Sequence, residues 1–443
     1  MSLIIFIIFS ISFFIYSLKY FKNSLLILIF IFPFSMFVKI GSKSIMLTEF
    51  LILLFCLSYF IRNSFATHNN AFNINKRLIP LYLFLIFTFL ISLIHLDAFK
   101  LSIYLLRITL FTVLLNIVCF LFIDNNLKRK SLFILSYGYI LYSFFLFLEF
   151  ILNHSGIISN GNLFWKSSLQ KFYLYPPSVS FEQLLSWSSV SGLSGFYVLH
   201  HTLAIYLGLI FILSIFVFPL YKVNYSKYIS ITSLFFLLFT NSRTAIISLT
   251  ISCIIYLFLF YKLKQKYLIP FFIFLTLLSI YIIVNPSSFV RLTNIIEALN
   301  YFSLNYANLS VDTIKSLSYD GSTLMRLFYD LNSITLISDN IFLGVGVLDN
   351  DTASQYKPHS TLLIQLQMFG IVPVIFLIYF VYRLFILRKT RLLMKEFILL
   401  FLFFLILASI GTNIISDLRN LFPIIICIAL ILKNFPKRTF TRF

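Results

Sequence analysis

The sequence predicts an all-α polytopic membrane protein of about 12–14 transmembrane helices, with two sizeable loops on one face. Three observations carry that expectation. Of the 443 residues 60% are apolar and only 11% are charged, and mean hydropathy is +0.99. An ordinary soluble domain is about a quarter charged. Apolar stretches long enough to cross about 30 Å of hydrocarbon recur along the whole chain. The basic residues, finally, gather in alternate connections. A soluble enzyme and a disordered tail are excluded, and residues 1–443 read as one integral membrane domain.

Thirteen spans can be delimited: 2–17, 24–40, 45–61, 78–96, 101–123, 131–152, 199–218, 228–240, 244–261, 267–285, 361–382, 396–411 and 421–433. The first has neither a basic leader nor a small-residue cleavage site, so it reads as a span and not a signal peptide. One alternation of sides satisfies the rule that Lys and Arg stay on the cytoplasmic side. Segments 18–23, 62–77, 124–130, 219–227, 262–266, 383–395 and 433–443 hold 22 basic residues, against Asp124 within them and Glu396 at their edge. The net charge of +20 therefore lies wholly on that side and sets orientation. It gives no support to nucleic-acid binding. Cys56, Cys119, Cys253 and Cys427 all fall inside apolar runs, so neither a disulfide framework nor a zinc site is indicated.

Polar residues collect on the outer face, in a first loop at 153–198 and a larger one at 286–360. Three charged residues lie in spans at outer-leaflet depth: Glu49, Arg107 and Glu149. Such groups either pair with one another to hold the bundle or line a polar cavity. Arg107 has both readings, as a partner for Glu49 or Glu149 and as a substrate-binding cation. Arg243 stands in Thr240-Asn241-Ser242-Arg243-Thr244-Ala245, the whole connection between two apolar runs. At an outer mouth its planar fork suits phosphate or carboxylate.

The larger loop contains a short amphipathic helix. Ser322 is a good N-cap, and Leu324, Leu327, Phe328, Leu331 and Ile334 fall on one face at helical spacing. Arg326 and Asp330 occupy the other side, and the helix ends near Ser338-Asp339-Asn340, before Leu343-Gly344-Val345-Gly346. Lys357-Pro358-His359-Ser360 then leads into the next span, so His359 sits near a helix N-terminus, which favours an anion. The first loop carries Trp165, Trp187 and Glu182, and the pair His200-His201 opens the span after it. Its aromatic residues suit either the membrane interface or the face of a sugar ring.

Together these residues resemble the O-antigen polymerase (Wzy) and O-antigen ligase group of bacterial inner-membrane glycosyltransferases. The resemblance spans most of the chain by architecture and about 190–375 by motif. Asn241-Ser242-Arg243-Thr244-Ala245 is similar to the family's SRTA-type hairpin. Arg326 through Gly344-Val345-Gly346 follows its Arg-led helix and Gly-x-Gly turn, and Pro358-His359-Ser360-Thr361-Leu362 with Gly370-Ile371 follows its His-led motif. Ser360 stands where that motif usually has Asn, and no arginine is carried over to the Ser194-Gly195-Phe196 segment.

The resemblance implies a substrate of oligosaccharide repeat units on undecaprenyl pyrophosphate, as donor and acceptor, joined at the periplasmic face of the inner membrane. It implies no cofactor and no metal, and a chain-length regulator as a further partner beside the lipid bilayer. The implied site has Arg243 and Arg326 clamping the pyrophosphate and His359 orienting phosphate or deprotonating the acceptor. Glu182 is a second candidate base, and Arg107, His200, His201 and Trp187 are candidates for substrate contact. Two large outer loops favour a polymerase. A ligase that transfers the polymer to lipid A-core shares the motifs, and a lipid-linked oligosaccharide flippase would carry its polar residues through the midplane.

Overall fold

The structure is a computed structural model, describing residues 3–34, 37–40, 43–65, 75–95, 97, 101–154, 200–240, 242–260, 300–305, 321–347, 358, 360–387, 392–411 and 418–432, with 276, 279 and 314. The protein is a polytopic membrane protein built from helices. In chain order these are α1 (Leu3–Lys19), α2 (Phe21–Ile31), α3 (Leu47–Phe65), α4 (Ile79–Ile94), α5 (Ser102–Leu121) and α6 (Asn125–His154). After the first loop come α7 (His200–Phe216), α8 (Ser226–Phe239) and α9 (Arg243–Phe260), then α10 (Gly321–Asp339). The chain finishes with α11 (Thr361–Phe369), α12 (Ile371–Ile386), α13 (Leu392–Gly411) and α14 (Leu418–Leu432). Among the described residues four helices, α3 to α6, are long and apolar enough to cross a membrane, and shorter apolar helices accompany them. The span expected at 267–285 lies outside the described residues, apart from two isolated positions.

Two expected spans are corrected. The second, 24–40, stops being helical early: α2 ends at Ile31 and a short 3₁₀ turn follows. Phe37–Ile40 is then a strand (β1), paired antiparallel with Lys43–Met46 (β2), with Ile40 opposite Lys43. The β-branched Val38 and Ile40, with a glycine next in the sequence, suit a hairpin better than a fifth helical turn. The all-α class thus carries one small hairpin. The span at 361–382 is broken in two at Gly370, between α11 and α12.

The core shows why lipid is the outer solvent. Large apolar side chains such as Ile8, Ile15, Ile94, Phe144 and Ile378 are exposed around the bundle, whereas α7 is buried on every side from Thr202 to Ser214. The helix α7 packs against α8, α9, α13 and α14. One close approach is at Gly208, where a Cβ would overlap the ring of the buried Phe404 on α13. Gly208→Ala is expected to cost about 1–3 kcal/mol by overpacking. Thermal unfolding in detergent measures it, and adding Phe404→Leu should recover most of the loss.

At the end holding the basic connections, cations satisfy helix C-termini. Arg62 donates to the carbonyls of Leu18 (2.7 Å) and Lys19 (3.2 Å), and Arg77 donates to that of Leu432 (2.5 Å). These carbonyls lack partners within their own helices, and positive charge suits that pole of the helix dipole. Lys22 pairs with Asp124 at 3.0 Å, and Asp124 also accepts from the backbone N–H groups of Asn126 and Leu127 at the start of α6. The Lys22 hydrogen bond, followed by the Leu127 N–H, holds the Asp124 carboxyl below its ordinary value.

Candidate functional site

The opposite end of the bundle gathers the starts of α3, α5, α7, α9 and α12 and the end of α4. The α8–α9 connection is built by its own hydroxyls. Thr240 Oγ1 donates to the Leu237 carbonyl (2.6 Å) and accepts from the Ser242 N–H (3.3 Å), which turns the chain at the end of α8. The Ser242 carbonyl accepts the first α9 bond, from the Ile246 N–H (3.0 Å), so Ser242 is the cap residue and Arg243 the first helical one. Ser242 is fully buried, and its hydroxyl shares a hydrogen bond of 3.1 Å with Nδ1 of His201 on α7. Small residues follow on the buried face of α9, Ala245, Ser248 and Ser252, and let the helix approach α7 and α13 closely.

Arg107 on α5 pairs with Glu49 in the first turn of α3, at 2.9 Å, with 24% and 16% of their side chains exposed. Of the two sequence readings for Arg107, the ion pair is present, and its partner is Glu49. One turn earlier on α5, Tyr104 accepts a hydrogen bond from the amide of Gln365, a fully buried residue of α11, and its ring stacks on Phe369 at 5.9 Å. A polar line thus runs from α11 through Tyr104 and Arg107 to α3.

The amphipathic helix is present as α10, and it starts at Gly321, so Ser322 lies inside the first turn and is not the cap residue. Its buried residues are Leu324, Phe328, Ser333 and Ile337, whereas Ile334 is exposed. Leu324 and Phe328 form a small separate core with Phe302 and Ile314, and α10 also packs on α11. Arg326 and Asp330 are half-buried on this helix.

Past α10 the chain makes a tight backbone crossing. The Ile341 carbonyl accepts from the Ile371 N–H (2.7 Å), the Val345 N–H donates to Gln367 (2.8 Å), and the Gly346 N–H donates to Met368 (3.3 Å). Gly344 has φ +68°, and a Cβ there would lie 2.6 Å from the Gln367 carbonyl oxygen. Gly370 has φ +69° and ψ −170°, and a Cβ there would overlap the Phe342 carbonyl. Those are conformations open essentially to glycine. The α4–α5 corner completes the crossing. Asp97 accepts from the Val347 N–H at 2.7 Å, and His95 Nε2 donates to the Leu343 carbonyl at 3.0 Å. The Gly-Val-Gly turn read from the sequence is therefore a joint between the second outer loop and three helices.

Sequence reasoning missed His95, Asp97, Tyr104 and Gln365. None of them stands in a motif, and only the fold brings them together. Of the candidates it named, Arg243 and His200 are the first residues of α9 and α7, Arg326 lies on α10, and His201 meets Ser242. Glu182, Trp187 and His359 lie outside the described residues, although His359 stands between the buried Pro358 and Ser360, and Ser360 caps α11. The helix α13 is a common neighbour of α9 and α11.

Residues 228–372, about a third of the chain, match the family model of the O-antigen ligases. Searches of the curated proteins and of the solved structures return no match. The matched stretch runs from α8 through the crossing to the start of α12, and so takes in the Arg243 hairpin, Arg326 and His359. It agrees with the group that the sequence motifs resemble, and it supports a role of the O-antigen polymerase/ligase type, in surface-polysaccharide assembly at a membrane.

Proposed function

We propose that the protein is a polymerase that joins undecaprenyl-pyrophosphate-linked oligosaccharide repeat units at the periplasmic face of the inner membrane. Two arginines within the matched stretch support the glycosyl-transfer part of this reading, and the two sizeable loops expected from the sequence favour polymerase over ligase. Arg243 heads α9, Arg326 lies on α10, and both elements belong to the end of the bundle remote from the basic connections.

In the reaction an acceptor sugar hydroxyl attacks the anomeric carbon of the donor. The bond from that carbon to the pyrophosphate oxygen breaks, and the lipid pyrophosphate leaves with the electron pair. Negative charge grows on the leaving oxygen, and the two guanidinium groups stabilise it more than the ground state. The acceptor's proton passes to a base, for which His359 has the appropriate range and Glu182 is the second candidate. His200 and Trp187 are assigned as contacts to the sugars, while Arg107, paired with Glu49, serves the bundle. A chain-length regulator is a further proposed partner.

Arg243→Ala and Arg326→Ala, each inserted at the wild-type level, are expected to lower polymer formation about 10²–10³-fold, the usual cost of losing one transition-state donor. Lysine at either position should recover only part, because it lacks the planar fork. The readout is banding of surface polysaccharide from a deletion strain carrying each variant. Single repeat units on the lipid core identify a lost polymerase. Lipid-linked polymer that accumulates unattached identifies a ligase and overturns the polymerase assignment. Long chains made by both alanine variants overturn the clamp.

A further inference from the structure

The α8–α9 hairpin presents Arg243, and something must hold that residue in register as the substrate arrives. Its neighbour Ser242 is fully buried and caps α9 through its backbone carbonyl, while its hydroxyl points to Nδ1 of His201 at 3.1 Å. His201 is the second residue of α7, the helix buried on all sides. The bond therefore ties the first turn of α9 to a helix enclosed on every side from Thr202 to Ser214. Within the hairpin, Thr240 closes the turn on Leu237 and Ser242, both local.

Resting on the function proposed above, we infer that His201 is a positioning residue for Arg243, acting through the Ser242 hydroxyl and the peptide bond that follows it. This assigns His201 a role other than the direct substrate contact expected from sequence. A guanidinium that must meet a leaving oxygen within a few tenths of an ångström depends on its backbone being fixed. A displacement of about 1 Å at such a group costs about 10²-fold in rate. Ground-state substrate binding, spread over many sugar and lipid contacts, depends on it far less.

The test uses the full-length protein in detergent or nanodiscs, with purified lipid-linked repeat units as substrate. Four variants are compared: His201→Leu, His201→Asn, Ser242→Ala, and His201→Leu with Ser242→Ala. Asparagine places a polar atom close to where Nδ1 stands, so it can still reach the serine hydroxyl. His201→Leu and Ser242→Ala should each lower kcat about 10–100-fold while changing KM less than threefold. The double variant should be no worse than either single one, because the two residues act as one unit. His201→Asn should return kcat to within about fivefold of wild type.

Three results overturn the inference: kcat in His201→Leu within twofold of wild type, additive losses in the double variant, or an Asn variant as slow as Leu at equal insertion and thermal stability. A raised KM with unchanged kcat also overturns it and makes His201 a substrate contact. A wild-type protein that forms no polymer instead overturns the proposed function, which separates the two failures.

Discussion

Gly370→Ala is expected to be the most damaging small substitution in the described part of the protein, costing about 3–5 kcal/mol, at the top of the range for point changes. Two costs add. The backbone at φ +69° and ψ −170° lies in a region kept almost wholly for glycine, worth about 1–3 kcal/mol when another residue is forced into it. The new methyl would also overlap the Phe342 carbonyl and stand 2.6 Å from the Leu343 N–H nitrogen, so its nearest neighbours are all backbone, with no flexible side chain to yield. Relief requires parting the crossing, and with it the bonds from Ile371 to Ile341 and from Val345 to Gln367. Folded protein in membranes should fall steeply, and protease should cut near 340–347. The control is Gly138→Ala on α6, where the nearest neighbour of a new Cβ is 3.4 Å away, an ordinary contact. Alanine in a helix interior is then favoured by about 1 kcal/mol over glycine. Equal stability of the two variants would sink the account of the crossing.

Glu49→Ala should show the second large effect, about 2–4 kcal/mol, because it leaves the Arg107 guanidinium partly buried without the carboxylate at 2.9 Å. The residual exposure of both side chains keeps the figure below that of a fully buried pair. Replacing both by leucine should restore most of the stability, since an apolar pair of similar size has no charge to desolvate. Polymer formation by the double variant then weighs the two roles of Arg107. A guanidinium already neutralised by Glu49 has little charge to offer a phosphate, so activity is expected within tenfold of wild type. Losses matching those of Arg243→Ala, at restored stability, would show that Arg107 serves the substrate.

Hydropathy alone delimited the elements whose ends coincide with the ends of an apolar run. The run at 101–123 is α5, Ser102–Leu121, and that at 199–218 is α7, His200–Phe216. The same reasoning missed the break at Gly370, because a hydropathy sum is blind to φ and the apolar run continues through α11 and α12. It also ran α2 into β1, since Phe37-Val38-Lys39-Ile40 is as apolar as a helical turn. Motif reading found Ser242, Arg243, Gly344 and Gly346, residues set by local backbone demands. It had no access to Asp97 accepting from Val347, 250 positions later, or to Gln365 reaching Tyr104, because those contacts exist only once distant helices have met.

The enclosure of α7 has a consequence for how the protein is made. Two of the four helices that surround it, α13 and α14, are synthesised about 200 residues after α7 itself. At 5–20 residues per second the ribosome needs roughly 10–40 s to deliver them. Through that interval α7 stands in lipid with two of its faces bare, including the notch at Gly208 that Phe404 later fills. His201 and the hairpin beside it thus rest on a helix whose surroundings are completed only once α13 and α14 have been made. The end of the bundle that carries the Arg243 hairpin can therefore assume its final form only after α13 and α14 have entered the membrane, and a chain cut short before α13 is expected to be inserted yet inactive.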